Sequence, residues 1–327
     1  MRIPVVRLAS AFGLFWLVIT LTFVLVHAAP GDPAELLGGP AASAADIART
    51  RAELGLNEPL IVQYARWVGG IVSGDFGESI ASRRPVAAVL GEALPVSVFL
   101  GLLSLALTFA IGIFIGAIQA VRRGRGSDTA LTIITTSLYA APSFWLALAL
   151  VAVFTYGASR IGAPHALRLP AFGLRDPAGQ YHGLAAVADV ARHLILPVTV
   201  LTAIGAAGIA RYARSAIVDV LGADFVRTAR AKGAGAWRVH VRHVLRNALP
   251  PLVILVALSL PGVIAGSVFV ESVFALPGMG RAMLSAIASR DYPVILAATV
   301  LYAALVILAN LASDLVLPLL DPRRRDA

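Results

Sequence analysis

Six windows of this sequence contain no Asp, Glu, Lys or Arg: 8–31, 93–121, 129–159, 193–210, 247–270 and 292–313. Their lengths are 24, 29, 31, 18, 24 and 22 residues. A helix rises about 1.5 Å per residue, so about 20 apolar residues cross the roughly 30 Å hydrocarbon core of a bilayer. The 18-residue window is marginal, and near-neutral neighbours such as Tyr212 and Ala213 extend it. Lipid offers backbone groups no partner, so each segment must satisfy its own N–H and C=O, as a helix does. The windows predict an all-α integral membrane protein with six transmembrane helices.

Composition removes the competing classes. Of 327 residues, 58% are hydrophobic and 14% charged, against about 25% charged in a soluble domain. A soluble globule lacks the charge to cover its surface, and a disordered chain would be poor in apolar residues. There is no cysteine, hence no disulfide, thiolate nucleophile, iron–sulfur cluster or cysteine zinc site. No G-x-x-x-x-G-K-[ST] loop is present to cradle a phosphate, so energy comes from a partner or a gradient. Gly278-Met279-Gly280 is a short G-x-G outside any βα pattern, and no nucleophile elbow links Ser, His and Asp. His240 and His243 stand at i, i+3, but two ligands without a neighbouring carboxylate or cysteine fall short of a four-ligand metal site. No cofactor is expected.

The first window begins like a signal peptide, and Val26-His27-Ala28 resembles a cleavage site. The run Leu8–Val26 is 19 residues long, longer than the roughly 7–15 of a signal core, and is read as a retained helix. Six helices put both termini on one side. That side carries Arg2 and Arg7, Arg122, Arg123 and Arg125, the cluster between Arg211 and Arg246, and Arg323, Arg324 and Arg325, 16 of the 27 basic residues. The positive-inside rule makes both termini cytoplasmic. The net charge of +9 then reflects membrane orientation and docking, and nucleic acid is not an expected partner.

The chain divides into 1–28 (cytoplasmic tail and helix 1), an extracytoplasmic segment 29–92, a permease domain 93–320 with a cytoplasmic loop 211–248, and a cytoplasmic tail 321–327. In the outer segment, Ser43 to Glu53 reads as a short capped helix. Leu60, Ile61, Tyr64, Trp67, Val68 and Ile71 form an amphipathic stretch that lies on the membrane or on the helix bundle. The outer loop 160–192, rich in Pro and Gly, predicts irregular structure. Gly112/Gly116 and Gly262/Gly266 are G-x-x-x-G pairs, either packing surfaces or incidental small residues. Pro142 and Pro261 predict kinks. Asp314 ends the sixth window, in interfacial exposure or a polar contact between subunits, and Glu271 caps a neighbouring outer helix.

The most informative stretch is Asp219–Pro250. Phe225, Ala229 and Lys232, with Val220 and Leu221, place apolar groups on one side of a short helix flanked by Arg227 and Arg230, and Gly233 stops it. A second amphipathic helix presents Trp237, Val241, Val244 and Leu245, ringed by Arg238, Arg242 and Arg246. Such a loop either adheres to anionic lipid headgroups or docks a soluble partner.

Thr228-Ala229-Arg230-Ala231-Lys232-Gly233, followed by His243-Val244-Leu245-Arg246-Asn247-Ala248-Leu249-Pro250, resembles the coupling motif of ABC importer permeases, in the first-permease type of the dipeptide/oligopeptide/nickel branch. The resemblance spans nearly the whole chain through motifs in order. They include Pro30-Gly31-Asp32-Pro33, Gly74-Asp75-Phe76-Gly77, Pro142-Ser143-Phe144-Trp145, His193-Leu194-Ile195-Leu196-Pro197, Glu271-Ser272-Val273-Phe274, Pro277-Gly278-Met279-Gly280-Arg281, Arg290-Asp291-Tyr292-Pro293 and Asp321-Pro322-Arg323. It implies a type I ABC importer permease fold. It also implies a second homologous permease, two cytoplasmic ATPase subunits, an extracytoplasmic substrate-binding protein and alternating access. Asp224, Arg227, Ala229, Arg230, Lys232 and Gly233 then form the loop seated in an ATPase cleft. The wider motif begins Glu-Ala-Ala where this chain has Arg227-Thr228-Ala229. The implied cargo is a peptide or similar small solute, with nickel chelates and glutathione-like molecules as alternatives. A secondary transporter or channel is the rival reading; it would need ionisable groups at mid-depth, which the windows lack. An intramembrane enzyme would need an acid pair or His cluster, and only His27 lies well inside a window.

Overall fold

The computed structural model describes residues 2–28, 31–32, 34–35, 42–53, 55–164, 167–264 and 267–320, with backbone only at 2–8, 261, 264 and 313–320. Pro30, Pro33, Gly266 and Asp321-Pro322-Arg323, on which expectations fall, lie outside the described residues, as does the side chain of Asp314. Among the described residues the elements are helical: α1 Arg2–Ala28, α2 Ala44–Glu53, α3 Leu60–Ser73, α4 Val86–Val121, α5 Gly126–Ala140, α6 Ser143–Arg160, α7 Leu184–Leu221, α8 Asp224–Ala231, α9 Ala236–Ile264, α10 Val268–Val273, α11 Met279–Ala288 and α12 Tyr292–Leu320. Six segments are long and apolar enough to cross a membrane: Ala9–Ala28, Val86–Val121, Ser143–Arg160, Leu184–Leu221, Ala236–Leu260 and Tyr292–Ala312.

Each span overlaps one charge-free window, but the helices do not stop where charges begin. The fourth starts at Leu184 and ends at Leu221, beyond 193–210 on both sides. The fifth begins at Ala236, absorbing the second amphipathic helix of the loop. Charges at a span's end do not break a helix when their heads find partners. Arg211 lies over the Tyr139 ring at 4.1 Å, and Arg214 meets Asp128. The third window is not one kinked helix. Ala141 (ψ 131°) and Pro142 (ψ 134°) are extended and separate α5 from α6, because the residue before a proline disfavours the α region.

By contact density the chain forms two units. The first comprises Met1–Ser97, Ile264–Val268 and Pro277–Leu308. Its core joins Val86, Leu90 and Ala93 of α4 to Met279 and Ala286 of α11 and to Val294, Ala297 and Ala298 of α12. These positions recur at i+3 and i+4, the spacing that aligns one helix face. Ser43 Oγ donates to Asp46 (2.6 Å) and accepts its backbone N–H (3.2 Å), which starts α2. On α3, Tyr64 meets Thr20 (2.6 Å) and Trp67 stacks on Phe23 at 5.5 Å. Leu60 and Ile61 are exposed rather than on that face, whereas Tyr64 and Trp67 meet α1.

The second unit comprises Val98–Val263, Phe269–Leu276 and Ala309–Ala327. Within it α4 crosses α7 at Gly112 and Gly116. A Cβ on Gly112 would fall 2.7 Å from Ile209 Cβ, and one on Gly116 would fall 2.6 Å from Ala210 O. This pair is a packing surface, faced by Ala206, Ala210 and Ala213. Gly262 meets nothing within 4 Å. The backbone of α9 runs through Pro261 as helix. Glu271 lies in the first turn of α10 and is fully buried. Of the 160–192 loop, residues 161–164 and 167–183 are irregular, and α7 starts at Leu184.

Candidate coupling site

Helix α8 carries the predicted loop residues. The chain enters it through Ala223 in an extended conformation (φ −71°, ψ 146°), and Asp224 occupies the first turn, where a carboxylate suits the positive end of the helix dipole. Arg227 Nη1 approaches Asp224 Oδ1 at 3.4 Å with both side chains largely exposed; such a surface pair contributes about 0–1 kcal/mol. Val226 is the one fully buried side chain of α8. It packs with Ala120, Ile217, Val239, Val244 and Ala248.

The helix ends in a Schellman motif. The Gly233 N–H donates to Arg230 O (2.9 Å) and the Ala234 N–H to Ala229 O (3.1 Å). Gly233 takes φ +79°, which glycine adopts without the penalty of a Cβ. Gly233 therefore sets the length of α8. Asp224, Arg227, Arg230 and Lys232 are exposed and Ala229 is half-buried, so the predicted residues lie on one eight-residue helix and its C-terminal cap, with the charged ones facing outward.

The buried faces differ from those expected. Phe225 is exposed and Val226 is buried. Trp237 is 80% and Val241 40% exposed, while Val239 and Val244 are buried. Val239–Leu245 is π-helical, with i→i+5 bonding. That widening brings residues five apart, such as Val239 and Val244, onto one side, and a 3.6-residue period misplaces the face. His240 and His243 sit here, and no group of three potential metal ligands occurs among the described residues.

Sequence reasoning missed the brace behind α8. Asp128, 5% exposed, accepts Arg214 Nε at 3.0 Å and Nη2 at 2.9 Å, and the Gly124 N–H at 3.0 Å. This bidentate pair fixes α5 to α7 ten residues before α8 starts. The available signal was an acid bounding one apolar window and an arginine just past another.

A second missed arrangement unites three sequence motifs in the first unit. Asp291, 2% exposed, accepts Ser79 Oγ (2.5 Å) and the N–H groups of Ile80 (3.0 Å) and Ala81 (3.2 Å). Arg290 takes φ 52° at the end of α11, where glycine is usual. A Cβ on Gly31 would collide with its guanidinium. Asp32 pairs with Arg51 at 3.0 Å. Arg83, in the loop held by Asp291, is also at positive φ (54°). Ser97 Oγ accepts the Met279 N–H at 2.8 Å and closes the start of α11.

Residues 112–326 match the family model described as binding-protein-dependent transport system inner membrane component, and residues 1–101 match its N-terminal companion. The chain belongs to this family. As a multi-pass inner-membrane permease it has curated relatives of matching length. It is 39% identical over 304 residues to the oligopeptide transport system permease protein AppB of Bacillus subtilis (strain 168), covering 93% of this permease and 92% of that protein. It is 37% identical over 319 residues to the glutathione transport system permease protein GsiC of Escherichia coli O1:K1 / APEC, covering 98% and 97%. Among solved structures it is similar to an inward-facing MetNI methionine ABC transporter at 20% identity, with a TM-score of 0.54 over 71% of this permease and 96% of that chain. That likeness gives the permease a type I ABC importer fold, as its sequence motifs imply.

Proposed function

We propose that this permease moves peptides or similar small solutes from an extracytoplasmic binding protein across the inner membrane, with a second permease and two cytoplasmic ATPase subunits. Both termini and α8 lie in the cytoplasm. ATP is hydrolysed by the partners, since the chain has no phosphate loop. The relatives named for oligopeptide and glutathione transport support this cargo class.

The observation that carries the coupling role is the build of α8: one buried anchor, Val226, a fixed end at Gly233, and a charged face directed outward. A lever of this kind transmits displacement only if its inner side is fixed. Val226 joins it to α4, α7 and α9 through a shared cluster, and Asp128–Arg214 ties α7 to α5. Motion of an ATPase cleft around Arg227, Arg230 and Lys232 would therefore move several spans together. The mechanism is alternating access, in which an equilibrium between two arrangements is biased by ATP binding in the partners.

The test is uptake of a labelled peptide by the reconstituted complex. Arg230→Glu should lower ATP-driven uptake about tenfold or more, as charge reversal in a protein interface does, and should weaken recovery of the ATPase with the solubilised permease. Unchanged uptake and association in Arg230→Glu, and in Gly233→Pro, would remove α8 from the coupling path.

A further inference from the structure

A groove of about 370 Å³ runs beside the coupling element, between α4 and α9. Its walls are apolar: Phe114, Ile118 and Val121 on one side, Trp237 and Val241 on the other. Phe114 is 65% and Trp237 80% exposed. Arg122 and His240 are the polar side chains that line it, and no carboxylate does. Arg123 and Arg125 follow Arg122 directly, and Arg238 and Arg242 are exposed on α9. An apolar slot with a purely basic mouth complements an amphiphile with an anionic head.

Depth decides among occupants. Phe114 and Val121 close a charge-free window, and seven residues of helix span about 10 Å along the axis. The groove thus begins inside the hydrocarbon and ends at the headgroup level, where Arg122 and Trp237 have the amphipathic character of interfacial residues. A soluble ATPase cannot reach Phe114 at that depth. A phospholipid reaches both ends.

We propose that this groove is a binding site for one anionic phospholipid, its acyl chain along Phe114, Ile118 and Val241 and its phosphate against Arg122. The consequence concerns coupling. Ile217 and Val244, which also line the groove, belong to the cluster that buries Val226. The bound chain therefore packs on the anchor of α8, and lipid composition sets how firmly that helix is held.

The chain has four tryptophans, Trp16, Trp67, Trp145 and Trp237. With the first three replaced by Phe, the full chain is placed in nanodiscs of phosphatidylcholine containing a minor fraction of either dibrominated phosphatidylglycerol or dibrominated phosphatidylcholine. Bromine quenches indole fluorescence on contact. Phosphatidylglycerol should occupy the groove about fivefold more favourably, the effect of about one basic residue at a membrane surface, and quench Trp237 accordingly. Arg122→Gln, at an exposed position, should abolish the preference without altering the emission maximum. Equal quenching by both lipids in the parent protein, or a preference that survives Arg122→Gln, overturns the proposal. So does loss of the preference on adding the second permease, which would assign the groove to a protein contact. None of these outcomes depends on ATPase docking, so the lipid site and the coupling reading fail separately.

Discussion

Replacing Val226 by alanine should loosen α8 while leaving the membrane helices in place. Val226 is fully buried and is the one side chain through which α8 enters the core. The change deletes two methyl groups, about 0.8 kcal/mol each in transfer free energy. A partly unrelaxed cavity raises the cost to about 2 kcal/mol. Since about 1.4 kcal/mol is a factor of ten, the undocked population of α8 should rise about thirtyfold. Hydrogen exchange on the reconstituted complex reads this directly: amides between Arg227 and Ala231 should exchange about thirtyfold faster, and amides of α4 and α7 should not change. Phe225→Ala, at an exposed neighbour, should shift exchange by less than about threefold. Uptake should fall with Val226→Ala because the lever no longer moves the spans. If exchange in α8 is unchanged, or if the whole chain destabilises equally, Val226 is not a local anchor and the lever argument is wrong.

Gly116→Leu should prevent stable assembly, because its Cβ already falls 2.6 Å from Ala210 O; a Tm by detergent thermal-shift should drop sharply, whereas Gly262→Ala, with open space around it, should be neutral. Asp291→Asn leaves at least one donor among Ser79, Ile80 and Ala81 poorly matched and should cost about 1–3 kcal/mol. Ser79→Ala should be non-additive with it in a double-mutant cycle. The Ser43 hydroxyl and N–H hold the Asp46 carboxyl below its ordinary range. A depressed folded value means the α2 cap is present above the unfolded pKa near about 4 and is lost as pH falls through the folded value. Exchange of the α2 amides should therefore accelerate on acidification relative to α3, and an Asp46→Asn variant should lack that dependence.

The spans were legible because lipid excludes charge, and the six windows are that exclusion written in sequence. Their limits were less legible. Arg211 and Arg214 end a window but not a helix, since one lies over Tyr139 and the other pairs with Asp128, contacts 86 residues apart in the second case. The residues of α8 and its stop at Gly233 followed from local rules, namely a Gly after an amphipathic run. Which side α8 buries did not, because the facing partner is a π-helical segment whose period the residue pattern does not announce. Asp291 is the clearest case of what a single sequence hides. It stood in a recognised motif, yet its role depends on Ser79, 212 residues earlier.

The gap at Ala141–Pro142 changes where polarity resides at the start of the third span. The window 129–159 has no charged side chain, but a helix that stops and restarts there exposes main-chain carbonyls at one end and amides at the other. Their partial charges, of opposite sign, face each other across two extended residues. The break lies just before the third span begins at Ser143, and hydrocarbon would not solvate such groups. Pro142 is exposed within this chain. A dipolar spot made of backbone is thus built into an otherwise inert stretch, one that no alanine scan of charged or polar residues would detect and that a change at residue 142 would erase.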